Sequence, residues 1–384
     1  MSSDPVRQFE NAFADHQHAA AARAFWMGRV GMYALFKALG VKPGDRIGIC
    51  SFTCLGVVES VTRLRAAPVF LDVDRHMNIA PEALENLDQP LKVLVLQHTF
   101  GVPCRLDACM AWARKHSVPV VEDCCHTLDA EWDGAKVGSF GVGAIFAFEW
   151  GKPFSAGQGG LVTFQDEELA RETDKIIALE AVSPSKKAVL ALSLQRRIYR
   201  WLVTPRTKRF MRAGYRWAAR RGIISGSEPA APELHGHAEG FLKRMSRSQA
   251  GAALRELRNW PENLAVRREA ADAIKTKLAA EGVEYEKPHA QATPMYLRFP
   301  VRVRSKPEIL AAAESACLDI AGWYASPAHP LQGEALTALG YDPKTCPRAE
   351  EAFASVVTLP TRPALSASRL GSAVALIRDR GLQQ

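Results

Sequence analysis

No two of the eight cysteines stand at the C-x-x-C spacing of a zinc or redox site; they are scattered from Cys50 to Cys346. A zinc ribbon and a thioredoxin-like centre are therefore excluded, and the thiols are expected to stay reduced in a cytosol. No apolar run reaches the roughly 18 residues of a membrane span, and the opening MSSDPVRQFE lacks the basic-then-apolar order of a secretory leader. The expected location is the cytoplasm. No internal repeat is present, which excludes solenoids and propellers. Nor is the chain short of apolar residues or overloaded with charge: 47% hydrophobic and 23% charged exclude the disordered and fibrous classes. What remains is an ordinary globular chain of 384 residues, long enough for one large domain and a smaller one.

The net charge of +8 suggests an anionic partner until its position is read. Between residues 183 and 240 lie twelve lysines and arginines against three glutamates, a local +9 that leaves −1 for the rest. Any argument from charge concerns that segment alone.

Apolar strand-like runs alternate with helical stretches through the first half. Strands are expected at 46–51 (RIGICS), 68–73, 92–97 (KVLVLQ) and 119–122, with helices near 55–65, 81–87 and 106–115. Such alternation predicts an α/β fold with a mainly parallel sheet and helices on both faces. Ligands of such sheets bind at the carboxyl ends of the strands. After Asp123 come short strands with glycine turns at 144–148, 157–160 and 161–164, then the basic segment. A long helical stretch at 246–281 follows, then a strand at 294–303 and helices at 306–316 and 366–379. The expected division is an N-terminal arm (1–20), a large domain (21–182), a basic amphipathic helical insertion (183–240), and a connector helix with a small α+β domain (241–384).

Three places carry chemistry. In VPVVED (118–123) a buried strand delivers two carboxylates to its end, where they face the ligand crevice or merely cap a helix or sit on the surface. Lys152 follows within FAFEWGKPFSAGQGG (146–160), between an apolar strand and a glycine-dense turn. A lysine that forms a Schiff base needs such a place, partly desolvated so that its amine is neutral and next to bare backbone. Upstream, Gly28 and Arg29 open a helical stretch whose free N–H groups and positive end suit a phosphate; Arg29 adds a charged fork or is a surface residue.

With these blocks in view the sequence resembles the DegT/StrS-type aminotransferases, pyridoxal phosphate (PLP) enzymes of fold type I that aminate keto-sugars. The resemblance covers nearly the whole chain. It is carried by GRVGMYALFKALGVKPGD (28–45), SFT and APVFLDVD (51–53, 67–74), HTFGVPCRLDA (98–108), VPVVEDCCHTLDAEWDGAKVGSFG (118–141), FAFEWGKPFSAGQGG (146–160) and RMSRSQAGAAL (244–254). The resemblance implies that Lys152 holds the cofactor covalently, that Asp123 meets its pyridine nitrogen, and that His126 lies near the ring and its oxygen. It implies that Gly28, Arg29 and Val30 form the phosphate-binding turn and that no metal is needed. An amino donor, glutamate or glutamine, and a nucleotide-linked or lipid-linked keto-sugar are the implied substrates. The related sugar deoxygenases carry histidine at the lysine position, so Lys152 argues against that reaction.

The chain also departs from the family. Ala147 replaces a phosphate-binding serine, Arg29 a threonine, and Cys54 an aromatic that stacks on the ring. Leu242 replaces the asparagine that reaches the phosphate from the partner subunit, with Lys243 and Arg244 beside it. The resemblance implies a homodimer with shared sites, in which Arg29, Lys243 and Arg244 supply charge to a rebuilt phosphate site. The alternative is a PLP-fold protein that has become a membrane-associated binding or regulatory protein.

The basic segment is longer than the connector such enzymes carry. Residues 189–203 place Leu190, Leu194, Ile198 and Leu202 on one helical side, flanked by Arg196, Arg197 and Arg200. Residues 207–221 repeat the design with Phe210, Met211, Tyr215 and Trp217 among arginines. Two readings stay open: a flap that packs its apolar side on the body, and a surface spanning residues 185–232 that docks peripherally on the anionic inner face of a membrane. No nucleic-acid motif accompanies the charge, so nucleic acid is not an expected partner.

Overall fold

A computed structural model describes residues 4–202 and 240–381. The short apolar runs become strands with both faces buried, as a covered parallel sheet requires. The central sheet comprises β1 (Ala21–Phe25), β2 (Arg46–Cys50), β3 (Ala67–Leu71), β4 (Val93–Gln97) and β5 (Val120–Asp123), then β8 (Gly143–Ala147) and β9 (Gly160–Phe164). Between β5 and β8, a hairpin of β6 (Glu131–Trp132) and β7 (Ala135–Lys136) stands outside the sheet and pairs with β10 (Ala292–Thr293). The order across the seven strands is β1-β9-β8-β5-β4-β2-β3. Pairing is parallel from β3 to β8 and antiparallel for β8–β9 and β9–β1. The mainly parallel sheet expected from the sequence is present.

Register fixes the working edge. Gln97 lies opposite Asp123, and Asp123 opposite Ile145, so β4 and β5 finish side by side. Apolar side chains from this sheet form the main core, and a second cluster surrounds β11 (Arg298–Arg302) and β12 (Val356–Pro360), including Phe299, Val301, Leu359 and Ile377. Before β1, residues Pro5–Gln17 form a helix with Asp4 as its cap. That helix lays Phe9 and Phe13 against Phe148 and Phe154, on either side of Lys152 in sequence.

Two expectations change. The helical stretch at 246–281 is two helices, Arg247–Arg258 and Trp260–Ala280. The break falls at Asn259, just ahead of Pro261, whose ring lacks the N–H that would carry the first helix's hydrogen bonding onward and suits the start of the second. The flap reading fails for the described part of the basic segment: the helix Lys186–Leu202 docks by Leu192, Ser193 and Arg196, while Leu190, Leu194 and Ile198 face outward. Residues 207–221 lie outside the described residues. All eight cysteines are free. Among the described residues no helix is long and apolar enough to cross a membrane.

Candidate active site

The two carboxylates that end β5 point to opposite faces, as the two-residue period of a strand dictates. Glu122 turns inward. It accepts hydrogen bonds from the backbone N–H of Gly138 (2.7 Å), Phe140 (2.7 Å) and Gly141 (2.9 Å), and Nε2 of His98 lies 3.2 Å away. Because Nδ1 of His98 accepts from the N–H of Cys104, Nε2 carries the hydrogen and donates to Glu122. His98, Glu122 and Cys124 come together in a metal-like cluster, yet both ring nitrogens and both carboxylate oxygens are engaged. The hydrogen bonds make the cluster a structural network. Glu122→Gln replaces an acceptor with a donor facing backbone N–H groups. It is expected to cost about 2–5 kcal/mol of stability in denaturant unfolding, with activity per folded molecule retained.

Asp123 turns the other way, into a cavity at the strand ends. Its Oδ1 accepts from the N–H of Cys125 at 2.9 Å, and the side chain is buried. Of the residues selected from sequence, Gly28, Arg29, Cys54, Asp123, His126 and Lys152 all line this cavity. Val30 is buried behind it, one step further along the helix Gly28–Ala38. Lys243 and Arg244 are absent from the cavity of their own chain. The Lys243 carbonyl accepts from the N–H of Trp26, and the exposed Arg244 donates from Nη2 to the Ile177 carbonyl at 3.0 Å. Leu242 is buried.

An anion fits the helix end. Met27 caps the helix without a side-chain hydrogen bond, which leaves the first-turn N–H groups to a ligand. A Cβ on Gly28 would stand 3.0 Å from that of Ala147, and one on Gly160 only 2.3 Å from the nitrogen of Gly28. The strand–helix junction closes to this degree only with glycine at both positions. Arg29 contributes differently from its sequence reading: its Nη1 is 3.3 Å from Glu59, which also pairs with Arg63, so its charge is already shared.

His126 is a neutral group with a fixed tautomer. Nδ1 accepts from the N–H of Phe100 at 3.3 Å, and Nε2 stands 3.0 Å from the hydroxyl of Tyr324. Burial, and then the charge of Lys152, push its pKa well below the ordinary histidine value. Nε2 therefore donates to Tyr324, which leaves the tyrosine hydrogen free to point elsewhere.

Lys152 sits half-buried on the cavity wall. Burial opposes its charge, while Cys125, Cys54, Glu149 and Asp123 favour it, and the net direction is upward from the usual lysine value. Cys125 is itself driven well above the thiol range by burial. The direction is opposite to the one that desolvation alone would give.

Several cavity residues escaped the sequence reading. Trp323, Tyr324 and His329 arrive from the C-terminal half on a loop laced to the β2 end, with Leu55 N–H donating to the His329 carbonyl and His329 N–H to that of Thr53. Lys306 fixes the loop by donating from Nζ to the Tyr324 carbonyl at 3.0 Å, and burial lowers its pKa to about 8. The only sequence signal was a pair of aromatics and a histidine in a proline-bearing loop. Glu149 and Trp150, next to Lys152, also line the cavity. Gln97 is fully occupied with Thr53, Thr99 and the Phe52 carbonyl.

A parallel α/β sheet that gathers a lysine, a strand-end carboxylate and an uncapped helix start around one cavity is built for covalent chemistry on an anionic cofactor. The DegT/DnrJ/EryC1/StrS aminotransferase family model matches residues 1–191 and 220–378, and the chain belongs to that family. It is an aminotransferase dependent on PLP, and the residues present fit that cofactor. The chain is 28% identical over 301 residues to the GDP-perosamine synthase of Caulobacter vibrioides, covering 78% of this chain and 68% of that protein. It is 35% identical over 173 residues to the 3-amino-5-hydroxybenzoate synthase of Amycolatopsis mediterranei, 44% of this chain and 45% of that protein. The PLP form of Spr1654 from Streptococcus pneumoniae shares the fold at a TM-score of 0.74 and 16% identity, covering 98% of this chain and 91% of that one.

Proposed function

We propose that this enzyme transfers an amino group from glutamate or glutamine to the ketone carbon of a nucleotide-linked or lipid-linked keto-sugar, as a homodimer with shared sites. The observation that carries the reading is the meeting of Lys152, Asp123 and His126 on one cavity that ends at the Gly28 helix start. The name of one relative, GDP-perosamine synthase, supports an amine on a nucleotide-linked product.

When bound, PLP supplies a carbon that bonds amines and a ring that takes up the electron pair left by a departing proton. The N–H groups of Gly28 and Arg29 would hold its phosphate, and Asp123 would keep a proton on its ring nitrogen. Lys152 would hold the cofactor covalently, and its free amine would carry a proton to and from the substrate carbon, a role worth roughly 10²–10⁴-fold in rate. His126, held by Phe100 and Tyr324, orients the ring.

The test is a two-stage transfer: glutamate or glutamine is added to the PLP-loaded enzyme, the cofactor absorbance is followed, and keto-sugars are then supplied. Consumption of the donor and recovery of the starting spectrum with a keto-sugar, with an amino-sugar seen by mass spectrometry, is the expected result. Recovery only with simple keto acids would refute the substrate class.

The dimer has its own test. Mixed Lys152→Ala and Arg244→Ala chains are expected to regain about a quarter of wild-type activity, because random two-fold pairing makes half the dimers hybrid with one intact site each. No recovery would place Arg244 in its own chain's site, and an Arg244→Ala chain active by itself would place it outside catalysis.

A further inference from the structure

The helix Lys186–Leu202 is amphipathic, and such a helix ordinarily turns its apolar stripe to the core. Here the orientation is reversed. Leu190 is 71% exposed, Leu194 56% and Ile198 37%, spaced four residues apart on one side. Leu179 and Val182, just upstream, are also exposed, and these five are the large exposed hydrophobics among the described residues.

The opposite side of the helix is fastened to the catalytic body. Leu192 is buried, Ser193 Oγ lies 2.9 Å from that of Ser248, and Arg196 donates to the Ala156 carbonyl and to Ser248. The Arg196 stem lies over Gly157, where an added Cβ would meet it at 2.8 Å. Ala156 and Gly157 belong to the turn that follows Lys152, so the outward stripe rides on a helix bolted to the active-site turn.

Lys186, Lys187 and Arg197 are exposed on the same helix, and the helix contains no acidic residue. An apolar stripe edged only by cations complements an anionic bilayer, whose acyl boundary takes the leucines and whose headgroups take the charges. Pairing of this helix with its own copy about a two-fold axis is a poorer match, since it sets these cations against their own equivalents.

We propose that the stripe Leu190–Leu194–Ile198, with Lys186, Lys187 and Arg197, docks the enzyme on an anionic membrane surface. The inference does not depend on which keto substrate is used.

The test is co-sedimentation of the full-length PLP-loaded enzyme with phosphatidylcholine vesicles, with and without phosphatidylglycerol, at low and high salt. Oligomeric state is followed in parallel by light scattering. Binding is expected only to the anionic vesicles and to weaken with salt, by about five-fold for each cation removed in Lys186→Ala and Lys187→Ala. The triple change Leu190→Ser, Leu194→Ser, Ile198→Ser is expected to weaken binding at least ten-fold while turnover in solution is kept. Three results would overturn the proposal: wild type left in the supernatant with anionic vesicles at low salt, undiminished binding by the triple variant, or a triple variant that changes oligomeric state, which would assign the stripe to a second copy.

Discussion

Lys152→Ala is expected to lower turnover by at least about 10²–10⁴-fold, the usual worth of a positioned proton carrier, and by more if covalent attachment is itself required. The fold is expected to survive. Lys152 stands half-buried between acids that attract its charge and a cavity wall that disfavours it, so deleting the side chain removes two opposed contributions. Steady-state turnover and a thermal melt check the two halves of this result together. A variant that transfers amines at near wild-type rate would remove Lys152 from the mechanism.

Asp123→Asn is the second large effect. The amide keeps the shape, and its oxygen still accepts from the Cys125 N–H as Oδ1 does at 2.9 Å. It cannot hold a proton on a ring nitrogen. Removing one partner of a buried ion pair costs about 3–5 kcal/mol, so proton abstraction is expected to slow by on the order of 10²–10⁴-fold. PLP is expected still to bind, because the phosphate cradle and Lys152 are untouched. Single-turnover kinetics with the amino donor measure the step. An unchanged rate would take Asp123 out of the site. The contrast with Glu122→Gln is informative, since adjacent carboxylates are predicted to fail in different assays, one in chemistry and the other in stability.

That contrast also marks how far the sequence could be read. The strand 118–123 and the glycine turn after Lys152 were visible as patterns, because a buried strand and a side-chain-free turn each impose composition. Which of the two terminal carboxylates faces the ligand depends on the phase of the strand, and pairing with neighbours sets that phase. The destination of Arg29 was hidden for a related reason: Glu59, its partner, comes from the next helix, and no local spacing announces the pair. Tyr324 was missed because the cavity's far wall is a loop, and loops carry no period to read. The basic helix was recognised as amphipathic, but which side met the body was decided by Arg196 and Ser193 finding Ser248 and the Ala156 carbonyl.

The central claim is that Lys152 forms the covalent link to PLP in the cavity of Asp123 and His126. Borohydride reduction of the PLP-loaded enzyme, followed by proteolysis and mass mapping of the modified lysine, tests it most directly. The account predicts a phosphopyridoxyl group on the peptide carrying Lys152 and its loss in Lys152→Ala. A label on another lysine, or bound cofactor that reduction fails to fix to the chain, would contradict it.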